Sequence, residues 1–203
     1  MAFSRNSFRW TCTAAVGIAF ALAFGASNAF ASCSYSTEAE TFSQWNDPAS
    51  YVPAPNGGLE SGSTGWSLSG AGVVSGNESF FLGGSKDAHS LFIAAGGSAT
   101  SPAFCVEQGF PTFRFAVRNT GSMGATLKVE AIYLDSTQNN TTKTVGYLTA
   151  GYWWTPSAKM ALAIGTASSG GISASQVRLR FTPMSTSGKF QIDDVYIDPW
   201  ARY

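Results

Sequence analysis

The stretch Phe190-Gln191-Ile192-Asp193-Asp194-Val195-Tyr196-Ile197-Asp198-Pro199-Trp200, almost the last of 203 residues, decides how this chain folds. It is dense in β-branched and aromatic side chains, which suit a pleated and half-buried surface, so it reads as a strand. It is too apolar to hang free at a terminus and must pair inside a sheet, beside an early strand. Two adjacent acids stand in its middle. Neighbours on a strand point to opposite faces. Asp193 is in phase with Val195 and Ile197, and Asp194 with Ile192 and Tyr196. If the strand is covered on both sides, one carboxylate is buried and needs an arginine, backbone N–H groups or a cation beside it. Val195 and Ile197 favour Asp193 as the inward acid; Phe190, Ile192 and Tyr196 argue for the opposite facing.

The segments upstream carry the same period. Residues 112–118 alternate apolar with polar, as do 126–134, where the pattern slips near Ala131 and predicts a bulge. Further strands are expected at 144–148, 159–164 and 176–181. Shorter candidates lie at 66–69, 72–75, 80–82 and 90–94, separated by Gly and Ser turns. No stretch has sustained helical periodicity with caps. The expectation is an all-β fold, a two-sheet antiparallel β-sandwich of jelly-roll type with roughly eight or more strands, over residues 56–203.

The chain opens differently. Arg5 and Arg9 precede an apolar run over 13–24, a polar break, and Ala29-Phe30-Ala31, which has the small-x-small form of a cleavage site. Residues 1–31 are expected to be a signal peptide, so the protein is expected to be secreted, extracellular or associated with the cell envelope. Their removal leaves roughly 170 residues, enough for one domain with a substantial core. It also removes Arg5 and Arg9, which tilts a formally balanced charge slightly towards acid. No basic patch points to nucleic acid, and no second apolar run predicts a membrane span. Residues 32–55 hold Tyr35, Phe42, Trp45 and Tyr51 among polar residues and prolines, and read as an extended arm with at most a helical turn over 38–45. Cys12 leaves with the signal. Cys33 and Cys105 remain, and in an oxidising compartment they are expected to form a disulfide tying the arm to the middle of the fold. Phe30-Ala31-Ser32-Cys33 is also a loose match to a lipidation signal, which would make Cys33 an anchored terminus instead.

Two ends of the domain carry a resemblance. Asn56-Gly57-Gly58-Leu59-Glu60-Ser61-Gly62 with Gly65-Trp66-Ser67-Leu68, and the closing Phe190-Gln191-Ile192-Asp193-Asp194-Val195, resemble the opening and closing strands of carbohydrate-binding-module jelly rolls of the galactose-binding-like superfold. Leu59 stands where that group has an aromatic. The mature chain is also similar to a group of uncharacterised secreted bacterial proteins. The resemblance implies a carbohydrate-binding function. It also implies one structural Ca²⁺, held by Glu60 with Asp193 or Asp194 and by backbone carbonyls, a hard-oxygen shell that suits the ion. Without it, the same acids would cap turns or pair with Arg114, Arg178 or Arg180.

Residues that could carry chemistry are few. His89 is the only histidine, and no nucleophile elbow accompanies it, so a catalytic triad has little support. Glu60, Glu78, Glu107, Glu130, Asp135 and the Asp193–Asp194 pair are candidates for a carboxylate glycosidase or lyase. Adjacent acids on a strand point apart, however, and make a poor acid–base pair. Tyr152-Trp153-Trp154 is the more natural binding feature. If one tryptophan packs inward, the other is left to stack on a sugar face. Alternatively, Trp154 closes the core and Trp153 lies half-buried beneath the arm. Asn77-Glu78-Ser79 and Asn139-Asn140-Thr141-Thr142 match the glycosylation sequon and read as exposed turns. The leading expectation is therefore a secreted, non-catalytic module binding a polysaccharide or cell-surface glycan. A cell-envelope structural or protein-interaction domain is the alternative. Unfolded, unreduced mature protein is expected to show no free thiol in a dithionitrobenzoate count; two free thiols would refute the Cys33–Cys105 bridge.

Overall fold

Glycine-punctuated apolar segments resolve into eleven strands among the described residues: β1 (Val52–Pro53), β2 (Ser67–Ser75), β3 (His89–Thr100), β4 (Phe104–Cys105), β5 (Thr112–Asn119), β6 (Thr126–Leu134), β7 (Asn140–Thr149), β8 (Thr155–Pro156), β9 (Met160–Ala161), β10 (Gln176–Pro183) and β11 (Phe190–Asp198). The computed structural model describes Met1 and residues 33–35, 38–107, 109, 111–134, 140–163 and 176–199. Apart from Met1, the expected signal segment lies outside the described residues, as do Asp135, Asn139 and Trp200. Among the described residues no helix is long and apolar enough to cross a membrane.

All strand pairs are antiparallel, and the strands form a two-sheet sandwich. One sheet runs β7-β6-β10 to the far end of β3, where Phe181 pairs with Ala99 and Arg180 with Thr100. The other runs from the near part of β3 through β11 to β5, with β8 and β9 on the edge of β5. There Ile192 pairs with Leu91 and Phe190 with Ile93. A single long strand, β3, thus belongs to both sheets, and β2 follows it along the edge. Glycines make the corner possible. Gly96 has φ +73° and Gly70 φ +56°, and a Cβ on Gly97 would lie 2.5 Å from the Gly70 carbonyl oxygen. Only glycine allows two bent backbones to come so close.

The core lies between the sheets. Leu127, Val129, Leu179 and Phe181 face Leu91, Phe113, Phe115, Ile192 and Val195, all fully buried. Phe115 meets Phe181 edge-on across the sandwich, with ring centroids 5.0 Å apart, a favoured aromatic geometry. The bulge expected near Ala131 falls between Val129 and Glu130 in the β6–β7 ladder.

Several strand expectations are corrected. The candidates at 66–69 and 72–75 are one strand, because the bulge at Gly70 lets the ladder resume rather than stop. Residues 80–82 form no strand. The Phe80 and Leu82 N–H groups donate to the Glu78 carboxylate, which replaces ladder partners. Of the segment expected at 159–164, the described residues contribute only Met160–Ala161, and Tyr152-Trp153-Trp154 is a bend between β7 and β8.

The arm wraps the outer face of the second sheet. It makes one 3₁₀ turn over Ser43–Trp45, bridges Ala39 to Tyr51, and adds β1 to the edge of β11. Phe42 and Tyr51 pack with Tyr196 in a second, outer cluster. Cys33 and Cys105 are bonded, with Cα atoms 5.7 Å apart. The arm also inserts Asp47, which receives Arg114 Nη1 at 2.9 Å, Lys159 Nζ at 2.9 Å and the Tyr51 hydroxyl at 2.7 Å. The Arg114 guanidinium lies over the Phe42 ring, 4.6 Å from its centroid. Burial alone would raise the Asp47 carboxyl; hydrogen bonds from Lys159, Tyr51 and Arg114 outweigh it and hold the pKa at about 2. A group depressed in this way stabilises the fold fully above its unfolded value of 3.8, and the contribution is lost as pH falls through about 2. Replacing Asp47 leaves Arg114 buried without its counter-charge, a change that costs roughly 3 kcal/mol. Asp47→Asn is expected to lower the melting temperature at pH 7 and to flatten the loss of stability between pH 4 and pH 2. An unchanged acid-melting profile in the variant would contradict the assignment.

Candidate functional site

The last strand does not alternate regularly. Asp193 pairs with Ala116 and Tyr196 with Arg114, so β11 carries one residue more than β5 across this interval. Asp194 takes up the extra residue with φ +47°, a conformation that Asp and Asn tolerate better than most side chains. The bulge reverses the phase. Phe190 and Ile192 before it, and Val195 and Ile197 after it, all point into the core. Asp193 and Asp194 both point outward. Strand geometry was expected to separate the two acids; the bulge puts them on one face instead, and the phase argument for an inward Asp193 fails for the same reason.

Both acids are nevertheless buried, because the segment between β2 and β3 covers them. Asp193 accepts the N–H of Glu78 at 3.1 Å and that of Asp194 at 2.9 Å. With its nitrogen turned towards them, the Asn77 amide donates to Asp193 Oδ2 at 2.7 Å and to the His89 carbonyl at 3.3 Å. Asp194 accepts the N–H of Gly83 at 3.1 Å. Glu78 is buried and lies within hydrogen-bonding reach of Asp194. Asp87 completes the group: the Cβ position of Gly83 is 2.2 Å from Asp87 Oδ2 and 2.7 Å from Asp194 Oδ1. Position 83 must be glycine for the two carboxylates to come this near the backbone.

No lysine or arginine among the described residues makes a salt bridge to any of these four acids. Burial, then the neighbouring charge of Asp194, pushes the Asp193 carboxyl far above the usual carboxylate range. Burial, then Glu78, does the same to Asp194, and burial followed by the charges of Glu60 and Glu78 raises Asp87. The hydroxyl of Ser90 is fully buried with no hydrogen-bond partner. The pairing of Ile192 with Leu91 places Ser90 beside Asp193, one residue further along each strand.

Glu60 is engaged elsewhere. Its carboxylate takes His89 Nδ1 at 2.9 Å and the N–H groups of Ala88 and His89, each at 2.8 Å, at the surface. The acids that join the aspartates are Glu78 and Asp87. These are hard oxygen donors, the right chemistry for Ca²⁺. As they stand, no group of three or more His, Cys, Asp or Glu side chains among the described residues is arranged to hold a metal ion. Of the three arginines named as alternative partners, Arg114 pairs with Asp47 and Arg180 with Glu130, and Arg178 is exposed on β10.

The aromatic bend is arranged quite differently. Trp153 is 84% exposed and Tyr152 is half-exposed, while Trp154 is buried. Trp154 does not close the core. It lies under the guanidinium of Arg118, 4.8 Å from the ring centroid, on the outer face of the second sheet. Nor does the arm cover Trp153. The Asn119 N–H donates to the Gly151 carbonyl at 2.7 Å, which pins the bend to the end of β5. Buried Trp154 on one side and this bond on the other hold Trp153 outward on a fixed support. Exposed Tyr147 on β7, and Met123 and Met184 on neighbouring turns, were not singled out from the sequence.

No family model and no curated protein matches the chain. Solved structures do. The enzymatically active domain of a tailspike protein of bacteriophage CBA120 aligns with a TM-score of 0.54 and 14% identity, over 71% of this chain and 21% of that one. The N-terminal CBM22-1–CBM22-2 tandem domain from Paenibacillus barcinonensis Xyn10C aligns with a TM-score of 0.50 and 13% identity, over 72% of this chain and 44% of that one. The chain therefore spans about a fifth of the first structure and less than half of the second. The likeness is one of fold: the chain has the jelly-roll sandwich of carbohydrate-binding modules.

Proposed function

We propose that the protein is a secreted, non-catalytic domain that binds carbohydrate, with Trp153 and Tyr152 as its stacking surface. One observation carries this reading: a tryptophan 84% exposed on a fixed bend. A large apolar ring left in water is unfavourable by itself and becomes favourable when a sugar face covers it. The fold, shared with a tandem domain of carbohydrate-binding modules, is consistent with this use. The signal-like residues 1–31 and the disulfide fit an exported chain. A binding role is favoured over a glycosidase because the acids brought together here, Glu78, Asp193 and Asp194, are all buried. A polysaccharide could not reach them. A cell-envelope interaction domain would use the same sandwich without sugar.

We also propose that the acid group binds one structural Ca²⁺ through Asp193 and Asp194, with Glu78 and Asp87 in place of Glu60. Support comes from buried carboxylates without a counter-charge and from the unpartnered Ser90 hydroxyl. The ion would offset their repulsion and draw the carboxylates together.

A glycan array comparing the wild type with Trp153→Ala tests the binding reading. Glycan signals in the wild type that fall about tenfold or more in the variant are expected; equal or absent signals for both would sink it. For the ion, melting is compared in EDTA and in calcium. Calcium should raise the wild-type melting temperature. Asp194→Asn keeps a residue suited to its φ of +47°. It should melt higher than wild type in EDTA, with repulsion relieved, and gain less from calcium. A wild type indifferent to calcium would exclude the ion.

A further inference from the structure

The turn between β5 and β6, the turn between β10 and β11, and the bend between β7 and β8 all lie at one end of the sandwich. Asn119 pairs with Phe190, Leu127 with Pro183, and Thr126 with Thr149. Each of these loops carries an outward apolar side chain. Met123 is 80% exposed and Met184 51%, beside Tyr152 and Trp153. Apart from Met1, six large hydrophobic side chains are strongly exposed among the described residues; four of them are these, gathered on three loops far apart in sequence. Scattered exposed hydrophobics need no explanation, but a gathered set does.

The loops are laced together by their backbones. The Thr120 N–H donates to the Lys189 carbonyl at 2.8 Å, Ser122 to Ser187 at 3.2 Å, Met184 to Thr126 at 2.9 Å, and Asn119 to Gly151 at 2.7 Å. A Cβ on Gly121 would strike the Ser187 carbonyl oxygen at 2.4 Å, so the first two turns touch backbone to backbone. The end is therefore preformed. It carries little charge: residues 119–125, 149–154 and 184–188 contain no Asp, Glu, Lys, Arg or His, six of them are Ser or Thr, and Lys189 is the single charged residue of the three loops.

Side chains this exposed wall no pocket. They project, so they cannot enclose a single sugar chain, and a soluble oligosaccharide would meet one ring at a time. A ligand that is itself an extended surface would meet all of them together, and its affinity would sum over the contacts. Hydroxyls between the apolar groups suit a surface of sugar hydroxyls and C–H faces. Lys189 is the one basic residue of the three loops, which argues against an anionic headgroup surface, since that attracts clusters of lysine and arginine. Resting on the carbohydrate-binding reading above, we infer that this loop end adsorbs to a neutral polysaccharide presented as a solid, flat face, rather than binding a free oligosaccharide.

The test measures depletion of the protein from solution by microcrystalline cellulose and by crystalline chitin. Calorimetry with the soluble hexasaccharides of each polymer, and sedimentation with phosphatidylcholine vesicles and with vesicles containing phosphatidylserine, run in parallel. Trp153→Ala and the double variant Met123→Ser/Met184→Ser are compared with the wild type, and unchanged melting temperatures show that both fold. Adsorption to one solid is expected, weakened about tenfold by Trp153→Ala and several-fold by the double variant, with hexasaccharides bound at least tenfold more weakly than the solid. Equal binding of soluble hexasaccharide would overturn the inference while leaving carbohydrate binding intact. Adsorption indifferent to both variants would also overturn it, by moving the sugar site elsewhere. Binding to vesicles but to no glycan would overturn both readings, as would binding to none of the probes.

Discussion

The bulge at Asp194 is the constraint around which the second sheet is built. A regular strand through Phe190–Asp198 could not turn Phe190, Ile192, Val195 and Ile197 all inward. One residue in the left-handed region reconciles the two halves of the strand. Its by-product is a pair of carboxylates on what would otherwise be an open face. The segment between β2 and β3 then has to cover them, and it supplies N–H groups from Glu78 and Gly83 to do so. The arm completes the cover, with Trp45 packed on Phe80, and β11 itself holds the segment through the Tyr196 hydroxyl, which donates to the Leu82 carbonyl. Core packing, acid burial and arm docking are thus linked through a single backbone conformation.

Two buried charge systems on this face work in opposite ways. At Asp47 the carboxylate meets two cations and a hydroxyl, and folding lowers its pKa. At Asp193 and Asp194 the neighbours are other acids, and folding raises both. The first system holds the arm against the sheet. The second places like charges in an enclosed space, which favours either shared protons or an added cation.

The sandwich was legible because its strands after Cys105 obey a period of two and its turns are marked by glycine. So was the disulfide, since two cysteines remain in the expected mature chain. The facing of Asp193 and Asp194 was not, because alternation assumes a ladder without insertions and nothing in Ile192-Asp193-Asp194-Val195 announces a bulge. Asp194 at positive φ is a choice made by tertiary packing. Glu78 and Asp87 were hidden for a related reason: their segment has no periodicity, and only the closed fold brings it over β11. At Tyr152-Trp153-Trp154 the sequence indicated that the two tryptophans would differ. It could not say that Trp154 would lie under Arg118, because that depends on the outer face of another strand. The clustering of Met123 and Met184 with Trp153 is a product of topology alone.

The Cys33–Cys105 bond also bears on how the protein withstands cutting. Its 72-residue span encloses the arm, β1, β2, the cover over the acids and all of β3. An endoprotease that nicks the exposed backbone around Phe81 would divide the polypeptide but not the molecule. The released end of the arm would stay tethered at Cys105, close to where it docks, and re-docking would be a first-order step. The covalent loop thus turns a cut in this covering segment into a nick rather than the loss of the arm.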